Sequence, residues 1–177
     1  MYKEYVLHNG CRIFYEEYLG SSVESPVFCW PSSFLLSKYI ERNPELVRNK
    51  YVLELGAGIG LPSFVCAALG AKKVYVADQR ENTKVQQLLE RNRERNSKIS
   101  FRMEYYPVNW GDGYPIDMEY PLEQLDIVIG ADLFYDPKQM EPLVMTMHSI
   151  LRYHCSKAIR VYIVYPQRSC KRNIGKK

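Results

Sequence analysis

One segment leaves this chain few choices of fold. A β-rich run, Tyr51-Val52-Leu53-Glu54-Leu55, meets glycines at alternate positions, Gly56, Gly58 and Gly60, and passes straight into an apolar helical stretch that Gly70 stops. Strand, glycine loop and helix in that order describe the first unit of a parallel α/β sheet. The glycines let a backbone come close to a ligand, and the start of the following helix offers unpaired N–H groups.

The rest of the chain keeps the alternation. Lys73 to Asp78 reads as a second strand. Residues 82–96 read as a helix with Thr83 and Gln86 at capping-box spacing and with Val85, Leu88 and Leu89 on one face. The spacing predicts a third strand over 99–108, a fourth over 125–132 that is apolar enough to be buried on both faces, and a helix after Pro137. A fifth strand is expected over 158–165. Upstream, Asn9-Gly10 sits between short alternating runs and predicts a hairpin over 2–19; a small, polar loop follows at 20–26, and Pro31 opens an amphipathic helix that ends near Asn43-Pro44. The expected architecture is therefore a three-layer α/β sandwich with right-handed crossovers, preceded by a hairpin. Its parts are residues 1–29, the hairpin and loop, and 30–177, the α/β domain.

Composition narrows the classes. The chain has 177 residues, 46% of them apolar, enough for one domain with a sizeable core. It has no apolar run approaching the roughly 18 to 20 residues that cross a bilayer. The N-terminus lacks the basic and apolar segments of a secretory signal, so an intracellular location is expected. Five cysteines, Cys11, Cys29, Cys66, Cys155 and Cys170, form no C-x-x-C pair and are expected to be reduced thiols; no metal site is expected. The net charge of +4 hides an asymmetry, because eight basic and no acidic residues follow Glu141. Such an end either is a solvated tail or attracts an acidic partner or nucleic acid through a salt-sensitive field.

The finer spacing of the glycine loop decides between cofactors. A dinucleotide fingerprint needs glycine or alanine at 61, where Leu61 stands. Glu54, just before the first glycine, would put a carboxylate where a pyrophosphate must pass. A nucleoside cofactor with a cationic part fits better. Asp78 ends the second strand at the distance where an acidic side chain accepts hydrogen bonds from ribose hydroxyls.

The ordered motifs E-L-G-A-G-I-G-L-P at 54–62, V-A-D at 76–78, N-W-G at 109–111 and D-L-F-Y at 132–135 resemble those of the seven-β-strand S-adenosylmethionine-dependent methyltransferases. Within that fold they are similar to the small protein lysine methyltransferases with an Asp/Glu-x-x-Tyr/Phe signature. F-C-W-P-S-S at 28–33 adds a likeness to a branch to which arginine methylation of histone is attributed. The likeness covers roughly residues 10–170. It implies a Rossmann-like fold and S-adenosylmethionine as cofactor. Residue by residue, it implies that Glu54, Gly56, Gly58 and Gly60 surround the methionine half, that Asp78 holds the ribose, that Asn109 and Trp110 lie on the adenine side, and that Trp30 is an aromatic beside the cofactor. Ala131 belongs to the same pocket edge. Asp132 and Tyr135 are the expected catalytic pair.

Methyl transfer from a sulfonium is an in-line displacement, so the protein must align a lone pair behind the methyl carbon and exclude water. No covalent nucleophile is needed. An amine acceptor must lose its proton, because at a pKa of about 10.4 its ammonium form has no lone pair. Asp132 is expected to orient the target nitrogen, and Tyr135 to attract the incoming cation by its ring face. A single carboxylate suits lysine, whereas guanidinium is usually gripped by more than one; the branch likeness points to arginine, and both stay open. The expected partner is a protein substrate, possibly histone, with a nucleic-acid amine as the alternative that the basic end allows. A monomer, or a complex with its substrate, in cytoplasm or nucleus completes the expectation.

The family pattern continues after the fifth strand with a helix and two more strands, and this chain ends at Lys177. The expectation is a sheet edge left uncovered at 158–165. A catalytically silent protein that keeps the cofactor pocket is therefore the alternative to an active enzyme.

Overall fold

A computed structural model of the chain describes residues 2–18, 20, 27–112, 124–154 and 158–167. Five parallel strands form its centre: β3 (Tyr51–Leu55), β4 (Lys73–Asp78), β5 (Met103–Pro107), β6 (Ile127–Ala131) and β7 (Arg160–Val164), in the order β5-β4-β3-β6-β7. Strand order reverses between β3 and β6. In open α/β sheets that reversal parts the loops at the carboxyl ends of the strands and leaves a crevice for a ligand.

Side chains alternate across the sheet as the two-residue strand period requires. Val52, Val74, Val76, Ile127 and Ile129 share one buried cluster with residues of α1 (Pro31–Arg42), α2 (Leu61–Ala68) and α3 (Thr83–Arg95). Leu53, Leu55, Tyr75, Ala77 and Val128 share the other with Leu143 and Ile150 of α5 (Pro137–Tyr153). The result is the expected three layers. The hairpin, β1 (Tyr2–Val6) and β2 (Arg12–Glu16), is antiparallel and turns through Gly10 at φ +81°.

The hairpin belongs to the first cluster through Tyr5, Leu7, Ile13 and Tyr15. Two asparagines of the α3 region hold its free edge. Asn96 accepts from the Phe14 N–H at 2.9 Å and donates to the Phe14 carbonyl at 2.6 Å. Asn92 accepts from the Glu16 N–H at 2.8 Å and donates to the Glu16 carbonyl at 3.4 Å. An amide side chain carries both a donor and an acceptor, so each mimics a strand partner. On the other side Glu41 of α1 takes the Tyr5 hydroxyl at 2.9 Å and the His8 N–H at 2.5 Å.

Two local expectations need correction. The capping box Thr83/Gln86 does not form; Asn82 is the cap, accepting from the Val85 N–H at 3.2 Å. An asparagine one residue earlier competes for the same orphan N–H groups and ranks above threonine as a helix cap. The third strand does not begin at 99, because Ser97–Ser100 form a helical turn, α4, and β5 starts at Met103. There the Ser100 hydroxyl donates to the Arg93 carbonyl at 2.8 Å and closes the end of α3. Among the described residues β7 pairs with β6 alone, while residues 168–177 and their expected break with the family pattern lie outside them. Cys11, Cys29 and Cys66 are thiols; Cys155 and Cys170 are not among the described residues. No helix among the described residues is long and apolar enough to cross a membrane.

Candidate active site

The glycine loop leaves β3 and crosses toward β4. The Ala57 N–H donates to the Ala77 carbonyl at 3.0 Å, and the Gly58 N–H donates to the Asp78 carboxylate at 2.8 Å. Gly56, Gly58 and Gly60 all lie at left-handed φ, between +56° and +77°. That backbone strains any side chain, but the three glycines differ in what surrounds them. A methyl group on Gly60 would strike Leu89 at 2.8 Å, whereas one on Gly58 would meet nothing within 4 Å. Gly60 makes room for the core. Gly58 borders open space, where a ligand can approach the backbone.

Asp78 closes β4 with both oxygens in use, one by the Gly58 N–H and the other by its neighbour Gln79 at 2.8 Å. Each carboxylate oxygen has a further lone pair to offer a hydroxyl. Burial raises its pKa, and the two N–H donors oppose the rise. Glu54 points to the α2 side of the sheet and is 1% exposed. It accepts the Ser63 N–H at 3.0 Å and also the Ser63 hydroxyl, so it caps the first turn of α2 from the preceding strand. Burial outweighs those bonds, and the nearby Asp78 charge adds to it, so the Glu54 carboxyl is pushed up to about 8. The Asp78 charge makes ionisation of Glu54 dearer still.

The other wall comes from β6 and the segment after β5. Asp132 follows β6 at φ +56°, 9% exposed, its N–H donated to the Val164 carbonyl at 2.7 Å. A left-handed non-glycine residue costs of order 1 to 3 kcal/mol and persists only where its surroundings impose it, and such residues gather at functional sites. Three residues on, Tyr135 is 52% exposed, its ring 6.5 Å from that of Trp110. Burial raises the Tyr135 hydroxyl, and the charges of Asp78 and Asp136 raise it further, so it stays a phenol. Trp110 in turn lies 3.4 Å from where a methyl on Gly56 would be. Asn109 braces the turn after β4 by accepting from the Arg80 N–H at 3.1 Å and donating to Glu81 at 3.0 Å.

Gly56, Gly58, Asp78, Trp110 and Tyr135 thus converge at the carboxyl ends of the central strands, with Asp132 and Ala131 at the end of β6. Trp30 stands at the start of α1, 44% exposed, its ring 4.2 Å from Phe28. Its neighbour Cys29, raised to about 12 by burial and then by Glu17 and Glu54, puts that end of α1 on the Glu54 side of the sheet. Ser63 as the partner of Glu54 is legible only in the fold. Leu133, buried between Gly56 and Gly130, also goes unsignalled by the motif; the one trace is a glycine after three β-branched residues of the strand, which marks a close approach.

A parallel sheet that reverses at its first strand, a glycine loop there and a carboxylate closing the second strand define the Rossmann-like methyltransferase class. The chain resembles solved members in fold: a structure of PRMT6 with SAH at TM-score 0.57 and 11% identity, covering 73% of this chain and 42% of that one, and the 16S rRNA N2 G1207 methyltransferase RsmC of T. Thermophilus with AdoMet and guanosine at 0.51 and 20%, covering 77% and 34%. Residues 10–174 match the lysine methyltransferase family model. The chain belongs to that family, whose cofactor is S-adenosylmethionine. It is 29% identical over 125 residues to the histone-arginine methyltransferase METTL23 of Xenopus laevis, covering 71% of this chain and 51% of the relative. It is 30% identical over 142 residues to the protein N-terminal and lysine N-methyltransferase efm7 of Schizosaccharomyces pombe, covering 78% and 55%. The chain spans about half the length of these relatives.

The residues present fit that cofactor. Open space faces Gly58, Asp78 keeps acceptor capacity for ribose hydroxyls, and the Trp110 indole offers a face for a purine. The Asp78 carboxylate gives the pocket negative character, and a sulfonium held nearby would favour the ionised form of Glu54, which burial otherwise keeps protonated up to about pH 8.

Proposed function

We propose that this chain is a protein N-methyltransferase that moves a methyl group from S-adenosylmethionine to an alkylamine of a protein, a lysine side chain first. The observation that carries the reading is Asp132, buried, held at a left-handed φ and set beside the loop of Gly56 and Gly58. The similarity to efm7 supports it.

When bound, the cofactor supplies an electrophilic methyl on a cationic sulfur. The chain's own residues then have three tasks. Asp78, Trp110, Asn109 and the glycine loop hold the adenosine and fix the direction of the methyl. Asp132 accepts a hydrogen bond from the amine N–H and turns the nitrogen lone pair toward the carbon. Tyr135 offers its ring face to the entering ammonium, worth about 0.5 to 2 kcal/mol, and then walls the neutral amine from water. The ammonium gives its proton to water as it enters, a loss helped by the nearby sulfonium and by burial, both of which disfavour a second cation.

A guanidinium acceptor is the second reading, favoured by the similarity to METTL23. It differs in chemistry, because guanidinium stays charged and takes more than one carboxylate for a bidentate grip. Tritiated S-adenosylmethionine, incubated with the chain and a cell extract, followed by amino-acid analysis of the labelled product, separates the two. Methyl-lysine is the expected product; methyl-arginine supports the second reading, and cofactor binding without any transfer supports a silent protein. Asp132→Ala should abolish transfer and leave cofactor binding within about threefold, and equal loss of both removes Asp132 from the acceptor side.

A further inference from the structure

Leu133 sits between the two residues of the acceptor motif and points the other way. It is 3% exposed and folds back beneath the carboxyl ends of β3 and β6. A methyl built on Gly130 would stand 2.5 Å from Leu133 Cδ1 and 3.1 Å from its Cγ; one built on Gly56 would stand 2.8 Å from Leu133 Cδ2. Carbon atoms rest at about 3.5 to 4.0 Å, so neither position admits a side chain while the leucine is there. Gly130 does not have a left-handed backbone, so what a side chain there would have to displace is Leu133 and not a strained backbone.

Register makes the arrangement specific. Leu55 pairs with Gly130, so Gly56 and Gly130 are diagonal neighbours across the β3–β6 pair, at the point where strand order reverses. One isobutyl group therefore lies against both the loop that receives the cofactor and the strand end that carries Asp132. Trp110 closes the same space, 3.4 Å from the methyl position on Gly56.

We propose that Leu133 is a positioning residue, a wedge between Gly56 and Gly130 that sets the distance from the cofactor loop to Asp132 and so the line on which the amine meets the methyl carbon. The proposal rests on the methyltransferase reading above. In-line transfer is steep in this distance: a misplacement of about 1 Å costs about 10²-fold in rate. Plain core filling would instead lower stability and leave the rate per folded molecule unchanged.

The test uses the full chain as wild type, Leu133→Ala, Gly130→Ala and the double variant, with kcat referred to the fraction that binds S-adenosylmethionine by calorimetry. Leu133→Ala is expected to lower kcat by about 30- to 100-fold while cofactor affinity moves less than about threefold. Gly130→Ala is expected to lower kcat by at least about tenfold, because its methyl evicts the leucine. In the double variant the new methyl enters the space that the leucine vacates, so kcat should exceed the product of the single effects by about fivefold or more. Leu133→Met, which keeps the volume, should stay within about threefold of wild type. Single effects that simply multiply, or an unchanged kcat in Leu133→Ala, overturn the wedge.

A wild-type chain that binds the cofactor and transfers nothing defeats the methyltransferase reading instead. The wedge is then read from Trp110 emission in a Trp30→Phe background. Leu133→Ala should shift that emission to the red as water reaches the indole, and an unmoved spectrum overturns the wedge on its own.

Discussion

Glu54→Gln tests the electrostatics of the pocket without touching its shape. Glutamine has the size of glutamate and keeps an oxygen for the Ser63 N–H that Glu54 accepts at 3.0 Å. What it removes is a carboxyl that is 1% exposed and titrates at about 8 in the fold against an ordinary 4.5. Below pH 4.5 the group is protonated whether the chain is folded or not, and its contribution to stability is fully present. Between 4.5 and about 8 the unfolded chain has released a proton that the folded chain keeps, so stability falls as pH rises, by about 1.36 kcal/mol per pH unit. Over that window the loss reaches about 5 kcal/mol, and above it the curve is flat. Asp78 also has a raised pKa and contributes to the slope in both proteins, so the difference between them isolates Glu54. Urea unfolding of the cofactor-free chains at pH 5, 6, 7 and 8 measures it. Glu54→Gln should gain on wild type steadily toward pH 8, by several kcal/mol in total. Parallel pH curves for the two proteins would refute the assignment of Glu54 as an acid whose burial outweighs its hydrogen bonds.

Three further outcomes follow from the geometry. Gly58→Ala and Gly60→Ala should part company: at Gly60 the clash with Leu89 should cost thermal stability, whereas at Gly58 a methyl entering open space should cost about 1 to 2 kcal/mol of fold and abolish cofactor binding by calorimetry, and matched losses would deny the difference. Asp78→Asn should weaken S-adenosylmethionine binding by about 10-fold or more, because one ribose acceptor becomes a donor, and unchanged affinity removes Asp78 from the ribose. Asn96→Ala should cost about 2 to 3 kcal/mol, because the Phe14 N–H and carbonyl lose their partners together, and protection of hairpin amides in hydrogen exchange should fall first.

The elements that local chemistry decides were legible in the chain. β-rich and apolar runs marked all five parallel strands, the glycines of 56–60 marked the crossing loop, and Asn9-Gly10 marked the hairpin turn. Where two local signals compete within a residue or two, the pattern misleads, as it does at Asn82 against Thr83 and at the helical turn of Ser97–Ser100. Strand order, by contrast, is absent from any local window, because it depends on which distant segments bury one another.

By itself, then, the sequence determined that a glycine-lined loop would follow the first parallel strand and that Asp78 and Asp132 would lie at strand ends. Only the tertiary structure decided that those ends lie on either side of one strand reversal, that Glu54 turns to Ser63, and that Leu133 occupies the space left by Gly56 and Gly130. The physical reason is range. Periodicity and turn chemistry act over a few residues, whereas a pKa raised by burial, or a glycine required by a neighbour's methyl group, exists only once segments remote in the chain are packed together.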